Sequence, residues 1–218
     1  MIKAVIFDFD GLILDTETVW YHSYKEVLNE QFQFDLTLEV FAKCVGSNDT
    51  ALFTYLEKEI GDQLDANKVR EYAGTLHAQL VKEAKAREGV GSYLADAREA
   101  GLTIALATSS TKKWVTTQLA NLNLISYFDY LITQDMVEHV KPAPDLFLKT
   151  LEILEVKPDE AIVFEDSLNG LIAALEAELP TVIIPNPVTE SLPFENFHLK
   201  LNSMADMSLQ EIIESLNK

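Results

Sequence analysis

Five short apolar stretches, rich in β-branched residues, recur along the chain at intervals. Continuous apolar runs of this length are typical of strands that are buried on both faces, as in a parallel sheet. The stretches are Ala4–Phe9, Leu102–Thr108, Tyr130–Thr133, Ala161–Phe164 and Thr181–Ile184. The pattern therefore predicts five strands of one buried sheet.

Helical patterns lie between these stretches from about residue 90 onwards. Ser92 and Asp145 stand where helix N-caps are expected, and Ser167 could cap a helix from Leu168 to about Ala177. Thr111 could start another helix, with Trp114 on its apolar face. Strand and helix then alternate, which predicts an α/β fold with a Rossmann-like, doubly wound parallel sheet. We expect the tail to add a last strand and a closing helix, Leu209–Leu216.

The stretch between the first and second predicted strands breaks this alternation. It contains no convincing strand run and has the pattern of several amphipathic helices. The helical patterns cover residues 19–30, 49–60 and 66–85. We predict that residues 15–85 form an α-helical cap inserted into an α/β core of residues 1–14 and 86–218, with hinges near Asp15–Thr16 and Ala84–Gly89.

Composition and charge narrow the classes of function. The chain has 218 residues, 48% of them hydrophobic, and a formal net charge of −18. Such a charge disfavours nucleic acid and anionic membranes as partners, because both are bound through Lys and Arg. A small anionic substrate remains possible, since one focused positive site can outweigh a distant negative surface. With a single cysteine, Cys44, and no apolar run near the roughly 20 residues of a membrane span, we expect a cytoplasmic protein and, by default, a monomer.

Chemically active side chains follow four of the predicted strands. In an open parallel sheet, ligands bind beyond the carboxyl ends of the strands. The residues there are Asp8 and Asp10, then Thr108 with Ser109 and Ser110, then Lys141, then Glu165 and Asp166. Four neighbouring carboxylates would repel each other and an anionic substrate unless a cation is present. Oxygen ligands alone favour a hard ion, which predicts Mg²⁺.

This group of residues suits phosphoryl transfer. Asp8 can attack phosphorus and form an aspartyl phosphate. Asp10 is two residues on, so in extended backbone it points the same way and can exchange protons with the leaving oxygen and with water. Lys141 and the Thr108 hydroxyl can hold the phosphoryl oxygens. Each feature alone could be a helix cap or a solvated side chain, but their joint occurrence in order favours the enzyme.

Four segments together resemble the motifs of haloacid dehalogenase-like hydrolases, over essentially the whole chain. They are Asp8-Phe9-Asp10-Gly11 with Leu14-Asp15-Thr16-Glu17, Ala107-Thr108-Ser109-Ser110, Phe128-Asp129 through Lys141-Pro142-Ala143-Pro144-Asp145, and Phe164-Glu165-Asp166-Ser167 with Asn169-Gly170. The resemblance implies Asp8 as nucleophile and Asp10 as acid/base. It also implies Mg²⁺ held by the Asp8 side chain, the Asp10 carbonyl and Asp166, with Glu165 acting directly or through water. Phosphate would be bound by Thr108, the Ser109 backbone and Lys141.

The resemblance also separates possible activities. Asp10 argues against true haloacid dehalogenases and phosphonatases, which lack this aspartate. The remaining hypothesis is a phosphatase acting on a small phosphorylated metabolite through an aspartyl phosphate, and the alternative is a β-phosphoglucomutase-like sugar phosphomutase. Gly46 matches the mutase loop, but Asp49 stands where the mutase carries arginine and Trp20 where it has histidine. A protein that keeps the fold as a binding module is the rival from another class.

Three further expectations concern single positions. The family usually has glycine where this chain has Glu178, so we expect a locally altered end to that helix, visible in the φ angle of Glu178. Trp20, Tyr21 and Tyr24 could face the substrate from the cap, but we expect them to be core aromatics. The four histidines show no metal-ligand spacing, so metal binding by them is not expected.

Overall fold

The computed structural model describes residues 1–44 and 49–216. Within these residues there are six strands and nine α-helices. The strands are β1 (Ala4–Phe7), β2 (Thr103–Ala107), β3 (Tyr130–Ile132), β4 (Ala161–Glu165), β5 (Thr181–Ile183) and β6 (Leu199–Lys200). The helices are α1 (Thr16–Phe32), α2 (Leu38–Cys44), α3 (Thr50–Ile60), α4 (Ala66–Glu83), α5 (Val90–Glu99), α6 (Lys112–Asn121), α7 (Asp145–Leu154), α8 (Leu168–Glu176) and α9 (Leu209–Leu216).

The six strands form one parallel sheet in the order β3-β2-β1-β4-β5-β6. This is the strand order of a doubly wound Rossmann-like fold, and it confirms the predicted fold class. Strand β1 lies between β2 and β4, with Phe7 opposite both Leu106 and Phe164. The carboxyl ends of these three strands are therefore level, and the residues that follow them meet at one edge.

Both faces of the sheet are buried. In β1, Val5 and Phe7 belong to the hydrophobic cluster on one face, and Ala4 and Ile6 belong to the cluster on the other. Helices α5, α6 and α9 contribute to the first cluster, and α7 and α8 to the second. Burial on both sides explains why the strands are apolar at every position rather than at alternate ones.

Helix starts agree with the sequence pattern at some positions and not at others. Thr111 and Ser167 are N-caps, as predicted, since their hydroxyls accept hydrogen bonds from the third residue of α6 and α8. The prediction of a Ser92 cap is wrong, because α5 already begins at Val90 after Gly89. Asp145 is the first residue of α7 rather than its cap.

Helices α1 to α4 precede the return of the chain to the sheet and share a core of their own, which is the predicted helical cap. Tyr21 and Tyr24 lie in this core, as expected. The sequence pattern did not predict α2, whose seven residues bury only Phe41 and Ala42. The boundaries 15–85 and the hinges stay predictions, and the loop around Gly46 lies outside the described residues.

The end of α8 corrects the expectation for Glu178. Its φ angle is +59°, in the left-handed region. The Glu178 N–H donates to the carbonyl of Leu175, at 3.0 Å, and the Leu179 N–H donates to that of Ala174, at 2.9 Å. These two bonds are the Schellman pattern that usually ends on glycine. The cap is therefore not altered; Glu178 adopts the glycine conformation at the cost of strain.

Candidate active site

A cavity of about 810 Å³ lies between the helical cap and the carboxyl edge of the sheet. The cap contributes Trp20, Ala42, Lys43 and His77 to its wall. Six of the seven residues given a catalytic, phosphate-binding or metal-binding role from the sequence also line it, namely Asp8, Asp10, Thr108, Ser109, Lys141 and Asp166, together with Ser110. The seventh, Glu165, is fully buried behind Lys141. Residues from four strand ends are therefore brought together, as the strand order requires.

Lys141 forms the centre of the site. Its ammonium group donates to Asp8 Oδ1 at 2.6 Å, to Glu165 Oε1 at 2.6 Å and to the carbonyl of Ala107 at 2.8 Å. The three donated bonds use all three ammonium protons. Lys141, Asp8 and Glu165 are each more than 90% buried. A lysine held in this way is fixed beside the Asp8 carboxylate, where a phosphoryl group would be bound.

Burial and charge act in opposite directions on this pair. Burial raises the pKa of Asp8 to about 8, although Lys141 acts to lower it. Burial alone would lower the pKa of Lys141, but the charges of Asp8 and Glu165 outweigh it and raise that pKa above its usual value. The ammonium therefore keeps its proton, and the carboxylates are short of positive charge.

Glu165 is a buried carboxylate that accepts hydrogen bonds through both of its oxygens. Its second oxygen, Oε2, accepts hydrogen bonds from the Asp166 N–H, the Ser167 N–H and the Ser167 hydroxyl. A Cβ at Gly170, in the first turn of α8, would overlap the Glu165 carboxylate. Glycine is therefore required there so that α8 can approach this buried acid. Both oxygens of Glu165 are already engaged within the protein.

Asp166 differs from Glu165 in having one free oxygen. Its Oδ2 accepts a hydrogen bond from the Asn186 amide at 2.7 Å, whereas its Oδ1 is buried and has no hydrogen-bond partner. Gly11, with a φ of +83°, passes so close that a Cβ there would overlap the Asp166 carboxylate. Asn186 was not predicted from the sequence. It lies three residues after β5, and this position beyond a strand end was the feature of the sequence that could have indicated a site residue.

These carboxylates fit a hard divalent cation. Ligand oxygens of Asp8, Glu165 and Asp166 can lie within 4.8 Å of one another. Lys141 pairs with only two of the four carboxylates, Asp8 and Glu165, and burial raises the pKa of both Asp8 and Asp166. An added cation would remove the deficit of positive charge, and the free Asp166 Oδ1 would gain a partner.

Asp10 is held by two donors from the segment after β2. The Ser110 hydroxyl donates to its Oδ2 at 2.6 Å, and the Trp114 indole N–H donates to its Oδ1 at 2.9 Å. Burial raises the pKa of Asp10, while these two hydrogen bonds act to lower it. Such a carboxylate can both give and take a proton.

Two residues that follow β2 face the cavity beside Asp8. The Thr108 hydroxyl accepts a hydrogen bond from the Ser110 N–H at 3.1 Å, which leaves its own proton free for a ligand. The Ser109 hydroxyl is buried and has no hydrogen-bond partner. The arrangement can receive an anion, and binding of phosphate by Thr108 and Ser109 stays a prediction.

The cap side of the cavity is aromatic. The His77 ring stacks on Trp20, with 3.9 Å between centroids, and on Trp114 of the core, at 5.9 Å. Trp20 therefore lies in the cavity wall, in addition to packing against the cap core. His77 was set aside in the sequence as unlikely to bind metal, and its place in the wall was missed.

The fold and this site define the class of protein. The chain belongs to the haloacid dehalogenase-like hydrolases, since the sequence model of that family matches residues 5–184. It is 44% identical over 218 residues to YhcW of Bacillus subtilis (strain 168), which carries a provisional phosphatase name; the match covers 100% of this chain and 99% of YhcW. It is also 30% identical to the phosphorylated carbohydrates phosphatase of Thermotoga maritima, with 99% of each chain covered. Among solved structures, CbbY of Rhodobacter sphaeroides in complex with phosphate is similar, with a TM-score of 0.77, 26% identity and full coverage of both chains.

Proposed function

We propose that this protein is a Mg²⁺-dependent phosphatase that hydrolyses a small phosphomonoester through an aspartyl phosphate. The observation that carries the proposal is the buried Asp8–Lys141 pair, which opens into a cavity beside the unpartnered Oδ1 of Asp166. The phosphatase names of the two curated relatives support it. They describe those proteins, and for this chain the activity is the inference.

In this proposal the Asp8 side chain, the backbone carbonyl of Asp10 and Asp166 hold Mg²⁺. When bound, the ion neutralises charge on the phosphoryl oxygens. Glu165 contributes its negative charge and acts through water, because both of its oxygens are engaged by protein donors. Asn186 orients Asp166 by donating to its Oδ2, which leaves Oδ1 available as the ligand atom.

The reaction has two steps. A carboxylate oxygen of Asp8 bonds to phosphorus while the bond from phosphorus to the leaving oxygen breaks, and Asp10 gives that oxygen a proton. Asp10 then takes a proton from water, whose oxygen displaces Asp8 and releases phosphate. Lys141, Thr108 and the Ser109 backbone hold the phosphoryl oxygens in both steps.

The cavity favours a small substrate whose leaving group carries hydroxyls. Burial lowers the pKa of His77, in the wall, to about 4, so its ring is neutral at pH 7. Burial raises the pKa of Glu17, also in the wall, to about 7. Hydroxyl groups can both donate and accept, so they can pair with a neutral imidazole and with a carboxyl group in either protonation state.

Other partners are disfavoured by the charge and the helices of the chain. The net charge of −18 argues against nucleic acid. Across residues 1–44 and 49–216, none of the helices has the length and apolarity to cross a membrane. We propose that the protein acts as a monomer in the cytoplasm.

The mutase alternative is less well supported. A mutase must hold a second phosphate from its cap, and Asp49 stands where arginine would do so. Arg70 donates to both Asp49 oxygens, at 2.8 and 3.2 Å, and also lies 3.7 Å over the Phe53 ring. That guanidinium is therefore engaged within the cap.

The first test is hydrolysis of 4-nitrophenyl phosphate, with and without Mg²⁺. Wild type should release phosphate only with Mg²⁺, whereas Asp8→Asn should be inactive though folded. Asp62→Asn, an exposed change of the same type, is the matched control and should behave as wild type. Absence of turnover by wild type under both conditions would contradict the proposal; turnover only with a sugar bisphosphate activator would favour the mutase.

A further inference from the structure

The proposed acid/base, Asp10, is oriented by hydrogen bonds from side chains outside its own strand. Ser110 and Trp114 each donate to a different oxygen of its carboxylate. Two donors on two oxygens fix both the position and the tilt of the group, which one donor could not do. Trp114 lies more than a hundred positions further along the chain than Asp10, in the first turn of α6. The backbone N–H of Trp114 donates to the hydroxyl of Thr111, the N-cap of this helix, at 3.2 Å.

The Trp114 indole is in turn supported by the cap. The His77 ring of α4 stacks on it with an interplanar angle of 27°, and Trp20 of α1 stacks on the same His77 ring at 13°. His77 is only 4% exposed, and because burial lowers its pKa to about 4 it packs as a neutral ring at pH 7. Trp20, His77 and Trp114 form a continuous row of rings from cap to core, and this row ends on Asp10.

Orientation matters more for Asp10 than for the groups that bind phosphate. Proton transfer to a leaving oxygen requires a donor within hydrogen-bond reach at the correct angle. Small displacements of a catalytic group cost large factors in rate. A carboxylate that lost the Trp114 bond would keep the short bond from Ser110, with the Thr16 hydroxyl also near it, and could turn about Ser110.

We propose that Trp114 is a positioning residue, which aligns Asp10 for proton transfer through its indole N–H and is itself held in place by His77 of the cap. The proposal rests on the proposed phosphatase function. It assigns Trp114 no contact with the substrate; its effect reaches the reaction through Asp10. It also gives the cap a role in the proton transfer, in addition to covering the site.

The two roles can be separated by varying the leaving group. 4-Nitrophenol is a good leaving group that departs without a proton, whereas benzyl alcohol is a poor one that needs protonation. The value of kcat/KM reports the steps up to the departure of the leaving group. A misaligned Asp10 should therefore lower kcat/KM for benzyl phosphate far more than for 4-nitrophenyl phosphate, whereas a general loss of structure should lower both alike.

The experiment compares the two substrates in wild type, Trp114→Phe and Tyr72→Phe. Trp114→Phe keeps an aromatic ring against His77 but loses the N–H. We expect its kcat/KM to fall at least about tenfold more for benzyl phosphate than for 4-nitrophenyl phosphate. A factor of this size is part of the roughly 10²- to 10⁴-fold rate increase that general acid catalysis provides. Tyr72→Phe is the control, an exposed aromatic substitution on α4 outside the cavity wall, and its ratio between substrates should equal that of wild type.

The possible outcomes separate the two proposals. If wild type hydrolyses neither substrate, the proposed function fails, and the role of Trp114 fails with it. If wild type hydrolyses both and Trp114→Phe lowers both by the same factor, only the positioning role is overturned. His77→Leu removes the ring that supports Trp114. It should change the ratio of kcat/KM between the two substrates in the same direction as Trp114→Phe, by a smaller factor. An unchanged ratio would show that the cap does not contribute to the position of Trp114.

Discussion

Replacing Glu178 by glycine should stabilise the protein. Glu178 is exposed and holds a φ of +59° at the end of α8. Gly101 ends α5 with a φ of +69° and the same two hydrogen bonds, from residues 101 and 102 to the carbonyls of Arg98 and Ala97. The backbone at Glu178 therefore already has the conformation that glycine adopts without strain, and the substitution needs no rearrangement.

The expected gain follows from three contributions. A Cβ in the left-handed region costs about 1–2 kcal/mol. Glycine gives back about 0.4–1 kcal/mol of this through the greater freedom of the unfolded chain. The negative charge of Glu178 at a helix C-terminus costs up to about 0.3–1 kcal/mol more, and any uncharged residue removes this cost. The free energy of unfolding of Glu178→Gly should thus rise by about 1 kcal/mol, which corresponds to roughly 2–4 °C in Tm for a chain of this size.

The assay is urea and thermal unfolding of wild type, Glu178→Gly and Glu178→Ala. Alanine removes the charge but keeps the Cβ, so the difference between the two variants isolates the backbone strain. Glycine should exceed alanine by about 0.5–1 kcal/mol. Equal stability of the two variants, or a lower stability of the glycine variant, would refute the assignment of strain to Glu178. Activity should be unchanged, because Glu178 does not line the cavity.

Three further predictions concern the site. Lys141→Met should abolish turnover and lower the free energy of unfolding by about 3–5 kcal/mol, since it leaves the buried Asp8 and Glu165 without their cation. Lys3→Met, which breaks the exposed pair with Glu160, is the control and should leave the urea titration close to that of wild type. Mg²⁺ should raise Tm in a thermal-shift assay, by an amount equivalent to about 2.7 kcal/mol at 100 times its Kd, and Asp166→Asn should lose most of this rise; a rise of equal size in the variant would argue against Asp166 as a ligand. The pKa of His77 falls from 6.5 to about 4 on folding, so the unfolded chain binds the extra proton between these values and stability is lost as the pH falls through them. Unfolding from pH 7 to pH 4 should show a weaker pH dependence in His77→Gln than in wild type.

The strands and the residues that follow them were predictable from the sequence. A strand buried on both faces must be apolar at every position, and that pattern needs no knowledge of the tertiary structure. Once the sheet is parallel, the carboxyl ends of neighbouring strands share one edge. Asp8, Thr108 and Asp166 were therefore expected together, although they are far apart in the sequence.

The contact between Asn186 and Asp166 could not be predicted from the sequence. Asn186 follows β5 as Asp166 follows β4, but an amide between Pro185 and Pro187 is also an ordinary turn residue. Its amide donates to Asp166 across 20 positions, and its side-chain oxygen accepts from the N–H groups of Val188 and Thr189. The local turn is predictable, whereas the long-range bond depends on how β4 and β5 pair.

Trp114 and His77 were missed for a different reason. Helical periodicity separates positions that face a protein core from positions that face solvent. A ring that lines a cavity between two parts of the chain has the same periodicity as a core ring. Trp114 was accordingly assigned to the apolar face of α6, and only the docking of the cap onto the sheet brings His77 against it, with the Trp114 N–H on Asp10. Aromatic residues that line a cavity between two parts of a chain are thus hidden in the amphipathic pattern, because the same apolar stripe serves the helix core and the cavity wall.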